Sequence, residues 1–254
     1  RQVLGRLVLD ALGPADSQAL AAALLRGLPQ APPALAELLI QQSAGNPYYM
    51  EELLKMLIDD GVVTTDGPAW QVHAQRLATA RVPSTLTGVL QARLDALAVA
   101  ERRALQQASI VGSVFWDDAL AALDPLAPSA LPMLQHKALV LARESSAFEG
   151  TAEEAFRHHL LHQVAYDTVL KPERRQGHAA VARWLAARVN DRSGEHLATT
   201  AQHFLQAGDG AQAARWLADA AEHAALRFDN LTALAHARAA LQHAPAEDLT
   251  LRWR

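Results

Sequence analysis

Residues Ser43–Gly61 read SAGNPYYMEELLKMLIDDG, and this stretch sets the reading of everything around it. Asn46 suits an N-cap, because its side-chain oxygen can accept a hydrogen bond from a backbone N–H that the first helical turn leaves free. Pro47 follows at the first helical position, where a missing N–H costs nothing. Met50, Leu53, Leu54, Leu57 and Ile58 recur at the i, i+3, i+4, i+7, i+8 spacing of one buried helix face. Gly61 closes the helix as a left-handed cap.

The composition agrees with a helical chain. The 254 residues suffice for two or three small domains. Half of them are hydrophobic, dominated by Ala and Leu, and only 5% are aromatic, which suits helices packed closely through small side chains. There is no Cys, so disulfides, thiolate metal ligands and a Cys nucleophile are excluded, in keeping with a reducing compartment. The net charge is −4 and the 23 Lys and Arg are scattered, without the basic stripe of a nucleic-acid binder. The apolar runs are too short and too broken to span a membrane. The start, RQVLGRLVLDALG, has neither the pattern of a signal peptide nor an initiator Met. The expectation is a piece of a longer cytoplasmic protein.

Upstream of the quoted stretch, Leu7–Leu12 is a short apolar run before Gly13-Pro14 and reads as a last strand. Ser17 is placed to cap a helix reaching about Leu28, with Leu20, Leu24 and Leu25 inward. Pro32-Pro33 opens a second helix through Gln42. Downstream, Val62–Thr65 and Ala69–Val72 flank Asp66-Gly67-Pro68, the pattern of a small hairpin. Ser84 then caps a helix whose Leu86, Val89, Leu90, Leu94 and Leu97 share one face. Helices are predicted from about Glu101 to Val111, from near Trp116, and over Ser129–Lys137. Two strands follow, at Leu139–Leu141 and Ala155–Phe156. Three or four helices and then a hairpin is the outline of a winged-helix domain. Beyond Arg174 the pattern is helical only, over 177–189, 194–207, 210–226 and 230–243.

The Gly-Asn-Pro-aromatic-aromatic-x-Glu-Glu-Leu run resembles the STAND class of bacterial signal-transduction ATPases, an AAA-like family. VPSTLTGVLQARLDAL, LQQASIVGSVFW and FRHHLLHQVAY follow in the order of its winged-helix portion. The resemblance covers residues 1 to about 185. HFLQAGDGAQAARWLADAAEHA further resembles a tetratricopeptide unit: Ala213 and Ala220, then Ala233 and Ala240, sit seven apart, where small residues let paired helices approach. These resemblances imply three domains: residues 1–80 as the end of the nucleotidase core with a helical lid, 81–172 as a winged helix, and 173–254 as a truncated tetratricopeptide-like region. The expected fold class is mainly α, a helical lid plus a winged-helix domain followed by a tetratricopeptide-like helical array, with short β-hairpins.

The resemblance also implies ATP or ADP as the cofactor of the intact protein. In the family a Gly-x-Pro turn faces the nucleotide, and a His at the end of the winged helix reaches the ADP phosphates. Carried over by position, these are Gly45, Asn46, Pro47 and His158. The plain readings stand beside them: a helix cap for the first three, and a His that merely packs for the last. No G-x-x-x-x-G-K-[ST] loop occurs, so the phosphate cradle is missing and this piece alone is expected to bind no nucleotide and catalyse nothing. His158, His159 and His162 lack the further ligands a zinc site needs and read as no metal site. Glu51-Glu52, Asp59-Asp60 and Asp117-Asp118 are neighbours that cannot face each other on a helix, and read as solvated charges. The would-be recognition helix, PSALPMLQHKAL, carries one Lys and one His, whereas phosphate contact needs several cations; it reads as a protein-packing module.

Two functions follow as expectations. The first is a regulatory or sensor fragment of a STAND ATPase, coupling nucleotide state and a protein or small-molecule signal on the helical array to an effector domain elsewhere. The resemblance implies an effector such as an adenylate or guanylate cyclase, or a LuxR-type transcriptional regulator. The alternative is a free-standing helical-repeat adaptor that binds a protein and never meets a nucleotide.

Overall fold

A computed structural model describes residues 8–67, 69–188, 194, 196–245 and 248. The fold is mainly helical with a few short antiparallel strands, as the patterning predicts. The chain forms two compact units, residues 1–97 and 98–254.

The first unit runs α1 (Pro14–Leu24), α2 (Pro33–Ser43), α3 (Pro47–Asp59), β1 (Val63–Thr64), β2 (Gln71–Val72), α4 (Ala74–Thr79) and α5 (Leu86–Asp95). Its core closes around α3: Leu35, Leu39, Met50, Leu53, Leu57, Leu90 and Leu94 are fully buried. Asn46 caps α3 as its side chain predicts, Oδ1 accepting from the Tyr49 N–H at 3.1 Å. The far end closes at Gly61, φ +66°, with the Gly61 N–H on Ile58 O and the Val62 N–H on Leu57 O. This is the paired-bond stop that a left-handed residue allows. Val63 pairs with Val72 and Thr64 with Gln71 in the expected hairpin.

Several boundaries differ from the sequence reading. Residues 8–12 form no strand. α1 starts at Pro14 with Gly13 before it, so Ser17 lies buried inside the helix rather than capping it. Thr85, not Ser84, caps α5, because its hydroxyl accepts from the Gly88 N–H at 3.1 Å. α5 was expected to open the second domain at residue 81. It packs instead on α3 in the first unit, where its Arg93 meets two α3 carboxylates.

The second unit begins with α6 (Val99–Val111), β3 (Val114–Trp116), α7 (Asp117–Ala121), a 3-10 turn (Ala127–Ala130), α8 (Leu131–His136), β4 (Val140–Ala142) and β5 (Glu153–Phe156). β5 lies between β3 and β4, antiparallel to both. Helix, strand, two helices and a two-strand wing, with the first strand joined to the last, is a winged-helix order. Trp116 ends this strand, opposite Glu153, and is also the N-cap of α7, so a helix does begin near Trp116 as expected. The long β4–β5 loop is pinned by Phe148, whose ring meets Trp116 at 4.8 Å and Trp184 at 5.0 Å between centroids.

α9 (His159–Asp167), α10 (Lys171–Ala186), α11 (Leu197–Ala207), α12 (Gly210–Leu226) and α13 (Asn230–His243) complete the unit. From α10 to α13 each helix packs on the next. Ala213, Ala220 and Ala240 are buried and Ala233 is half-buried. The apolar end LTLRWR, residues 249–254, lies outside the described residues.

Candidate functional site

The Gly45-Asn46-Pro47 turn is built by two successive left-handed residues, Ala44 at φ 47° and Gly45 at φ 79°. The chain at residues 11–12 crosses directly over it. The Leu12 N–H donates to Gly45 O at 2.8 Å, and a Cβ on Gly45 would stand 2.5 Å from Leu12 O. Gly45 is buried under this crossing, while Asn46 and Pro47 are exposed at the start of α3. The N-terminal end of a helix presents N–H groups and a partial positive charge, which suits an anion.

The residues after the turn hold the unit together. The Tyr49 hydroxyl donates to Pro83 O at 2.7 Å, and burial raises its pKa. Glu52 is one of the most buried charged groups, with its side chain 2% exposed. Its carboxylate is paired with Arg93 and, at 2.7 Å, with Lys55; Arg93 Nε also donates to Asp59 at 3.1 Å. Reading Glu52 as a solvated charge is thus overturned, while Asp59 is exposed and paired. The signal was present: Tyr49, Glu52 and Met56 form a second buried stripe at i, i+3, i+7 beside the apolar one. Asp117 and Asp118 are engaged as well. Asp117 accepts from the Ala152 N–H at 2.9 Å, and Asp118 is paired with Arg188.

His158 lies in the second unit, exposed, as the N-cap of α9. Its Nδ1 accepts from the Leu160 N–H at 3.3 Å, which leaves the proton of the neutral ring on Nε2. The four predicted contact residues therefore divide between the two units, three in the first and one in the second. Asn46 and His158 share one local role, since each caps a helix N-terminus.

His159 is exposed, and His162 turns inward to give Nε2–H to Ser109 O at 3.0 Å. Burial lowers the pKa of His162. Among the described residues no three His, Asp or Glu side chains are grouped to hold a metal. On α8, Lys137 pairs with Glu101 at 2.7 Å, while Met133 is exposed. Among the described residues no helix is long and apolar enough to cross a membrane.

Two concave places lie within the second unit. A cleft of about 600 Å³ between α6 and α10 is lined by Arg102, Arg103, Gln106, Ile110, Glu173 and Gly177 among others. A groove of about 480 Å³ crosses α10, α11 and α12. Its apolar lining is Phe204, Trp216 and three alanines, and its polar rim is Arg183, Asp209 and Gln212. Both volumes fall in the range of small-molecule or side-chain pockets.

No protein-family model matches this chain, and no curated protein sequence matches it.

Proposed function

We propose that the chain is the regulatory portion of a STAND-class signal-transduction ATPase of the bacterial cytoplasm. In this reading the first unit presents the Gly45-Asn46-Pro47 turn to ATP or ADP held by a nucleotide-binding core. His158 adds a contact from the second unit, and the array from α10 to α13 receives the signal. Binding on the array shifts a closed–open equilibrium only as far as the signal prefers one state. The observation that carries the reading is the turn itself. Gly45 is locked left-handed beneath residues 11–12, and this sets Asn46 and Pro47 outward at the donor end of α3. The chain itself has no phosphate-binding loop, so nucleotide hydrolysis belongs to the core and not to these residues. The first experiment is to read the coding sequence upstream of Arg1. A phosphate-binding loop there supports the proposal, and a start codon with no such loop removes it.

The alternative is an adaptor that binds a protein segment and uses no nucleotide. It is favoured by the α10–α12 groove, where Phe204 and Trp216 offer aromatic surface beside the exposed Arg183. It is favoured also by the capping bonds of Asn46 and His158, which account for both side chains without a ligand.

A further inference from the structure

Three helices of the second unit meet through an unbroken chain of hydrogen bonds. Tyr166 Oη on α9 lies 2.8 Å from His178 Nε2 on α10, and His178 Nδ1 lies 2.9 Å from His203 Nδ1 on α11. The backbone of Val111, at the end of α6, also bears on His203 and favours a hydrogen on its ring. Both histidines are nearly closed to solvent, at 6% and 7% exposure.

Chemistry fixes the direction of every bond. The Nδ1–Nδ1 bond needs one donor and one acceptor, and the Val111 backbone favours a hydrogen on the other side of the His203 ring, so His203 accepts at Nδ1 when neutral. His178 must then donate from Nδ1, which leaves its Nε2 as an acceptor for the Tyr166 hydroxyl. All three groups are neutral, and each bond depends on the next. His162 makes a parallel contact, giving its Nε2–H to Ser109 O two residues back on α6. An imidazole from α9 thus satisfies a carbonyl near the C-terminus of α6.

We propose that this chain is a proton-sensitive seam that fastens α10 and α11 to the winged-helix elements α6 and α9, and that it opens on acidification. A proton added at His203 forces the whole chain to reverse. His178 must move its hydrogen to Nε2, and Tyr166 must turn from donor to acceptor. The new charge would also stay in a buried place. The charged group bearing on it is Arg174 of α10, whose guanidinium lies 4.2 Å over the Tyr166 ring and repels a cation at His178. From α6, α9 and α10 the groups bearing on the pair are the Val111 backbone, Tyr166 and Arg174, with His162 stacked on Tyr166. The nearby carboxylate is Asp167 of α9, which is exposed and lies 3.8 Å from Arg174. Opening lets water solvate the protonated rings, so acid favours the open form. This inference stands apart from the nucleotide reading and can fail or hold without it.

Burial above all, with Arg174 and His178 adding repulsion, lowers both histidines from 6.5 to about 4. A neutral buried His keeps its full contribution above pH 6.5 and loses it as the pH falls toward 4. Between pH 7.5 and 5.0 the opening equilibrium should rise roughly thirtyfold for each histidine. The test is amide hydrogen exchange of the 254-residue chain at both pH values, scaled to intrinsic rates. Imidazole ¹⁵N spectra would report the tautomers alongside. The expected result is faster exchange in α10 and α11 at pH 5.0, with β3, β4 and β5 still protected. Tyr166→Phe should keep the ring, loosen the seam at both pH values and shrink the rise between them, because neutral His178 loses its donor and takes a proton more easily in the closed form. His203→Gln should remove about one thirtyfold factor. Uniform loss of protection across the unit overturns the seam, as does no change at pH 5.0. If His203→Gln does not fold, Tyr166→Phe decides alone, and an unchanged rise between pH 7.5 and 5.0 overturns the inference.

Discussion

Arg93 of α5 and Glu52 of α3 form an ion pair whose two side chains are each 2% exposed. An ion pair this dry is expensive to break from one side, since the survivor is a buried charge without its partner. It also joins the Gly-Asn-Pro helix to the segment after Pro83. Arg93→Met should therefore destabilise the first unit by about 3 kcal/mol or more. Glu52→Leu combined with Arg93→Met should recover most of that loss. Urea denaturation of the two single variants and the double variant checks this. Additive losses would show that the pair does not act as a unit.

Gly45 is required by its backbone and by its neighbour. Its φ of 79° disfavours any side chain, and a Cβ would press on Leu12 O at 2.5 Å. Gly45→Ala should cost about 2 kcal/mol or more, from the left-handed conformation plus the displacement of residues 11–12. A melting curve unchanged from the parent would contradict the crossing.

The alanines of the array set the spacing of α12 and α13. Ala220 and Ala240 are each 5% exposed, so a larger side chain has no room. Ala220→Leu or Ala240→Leu should each destabilise by roughly 1–3 kcal/mol through overpacking. Equal stability in both variants would mean that the helices do not approach closely there.

Glu154 sits on the central strand β5 at 4% exposure, and its Oε2 has no hydrogen-bond partner among the described residues. Burial raises its pKa, the Gln135 amide lowers it, and Asp117 raises it, for a net upward shift. A carboxyl with a raised folded pKa holds its proton in the folded state longer than in the unfolded. Stability from this group therefore falls as the pH rises from the ordinary carboxylate range through the raised value. Glu154→Gln should be more stable than the parent at pH 7.5, with the gain shrinking as the pH approaches 4. Denaturant midpoints at the two pH values measure it, and a variant less stable at pH 7.5 would contradict the buried, unpartnered acid.

The helices were legible where one face is apolar and the ends carry strong signals. Residues 210–226 and 230–243 match the predicted spans, and α3 falls between Asn46 and Gly61 as its caps require. The short strand at residues 114–116 was not legible. Its place is decided by pairing with β5, some forty residues later, and Trp116 in isolation fits a helix start equally well. The split at residue 97 was hidden for a related reason. Arg93 and Glu52 look like surface charges along the chain, and only their meeting assigns α5 to the first unit. The Asn46 cap was read from its side chain, whereas His158 was picked out by position and the structure adds its capping bond. The Tyr166–His178–His203 chain joins three helices and leaves no local pattern in sequence.

The central claim is that the Gly45-Asn46-Pro47 turn and His158 face a nucleotide, and ADP release tests it most directly. The measurement is the ADP dissociation rate from the full-length protein, for the parent, Pro47→Ala and His158→Asn. Asn preserves a capping oxygen at the start of α9, so this variant removes the imidazole and keeps the helix. Loss of a His158 hydrogen bond to a charged phosphate should speed release by about tenfold or more; Pro47 has no N–H to donate, so Pro47→Ala acts by loosening the turn. The 254-residue chain alone should show no low-micromolar ATP or ADP binding by calorimetry, because it carries no phosphate-binding loop. The account predicts faster ADP release in both variants with melting temperatures held. Unchanged release from both would contradict it and leave Asn46 and His158 as helix caps.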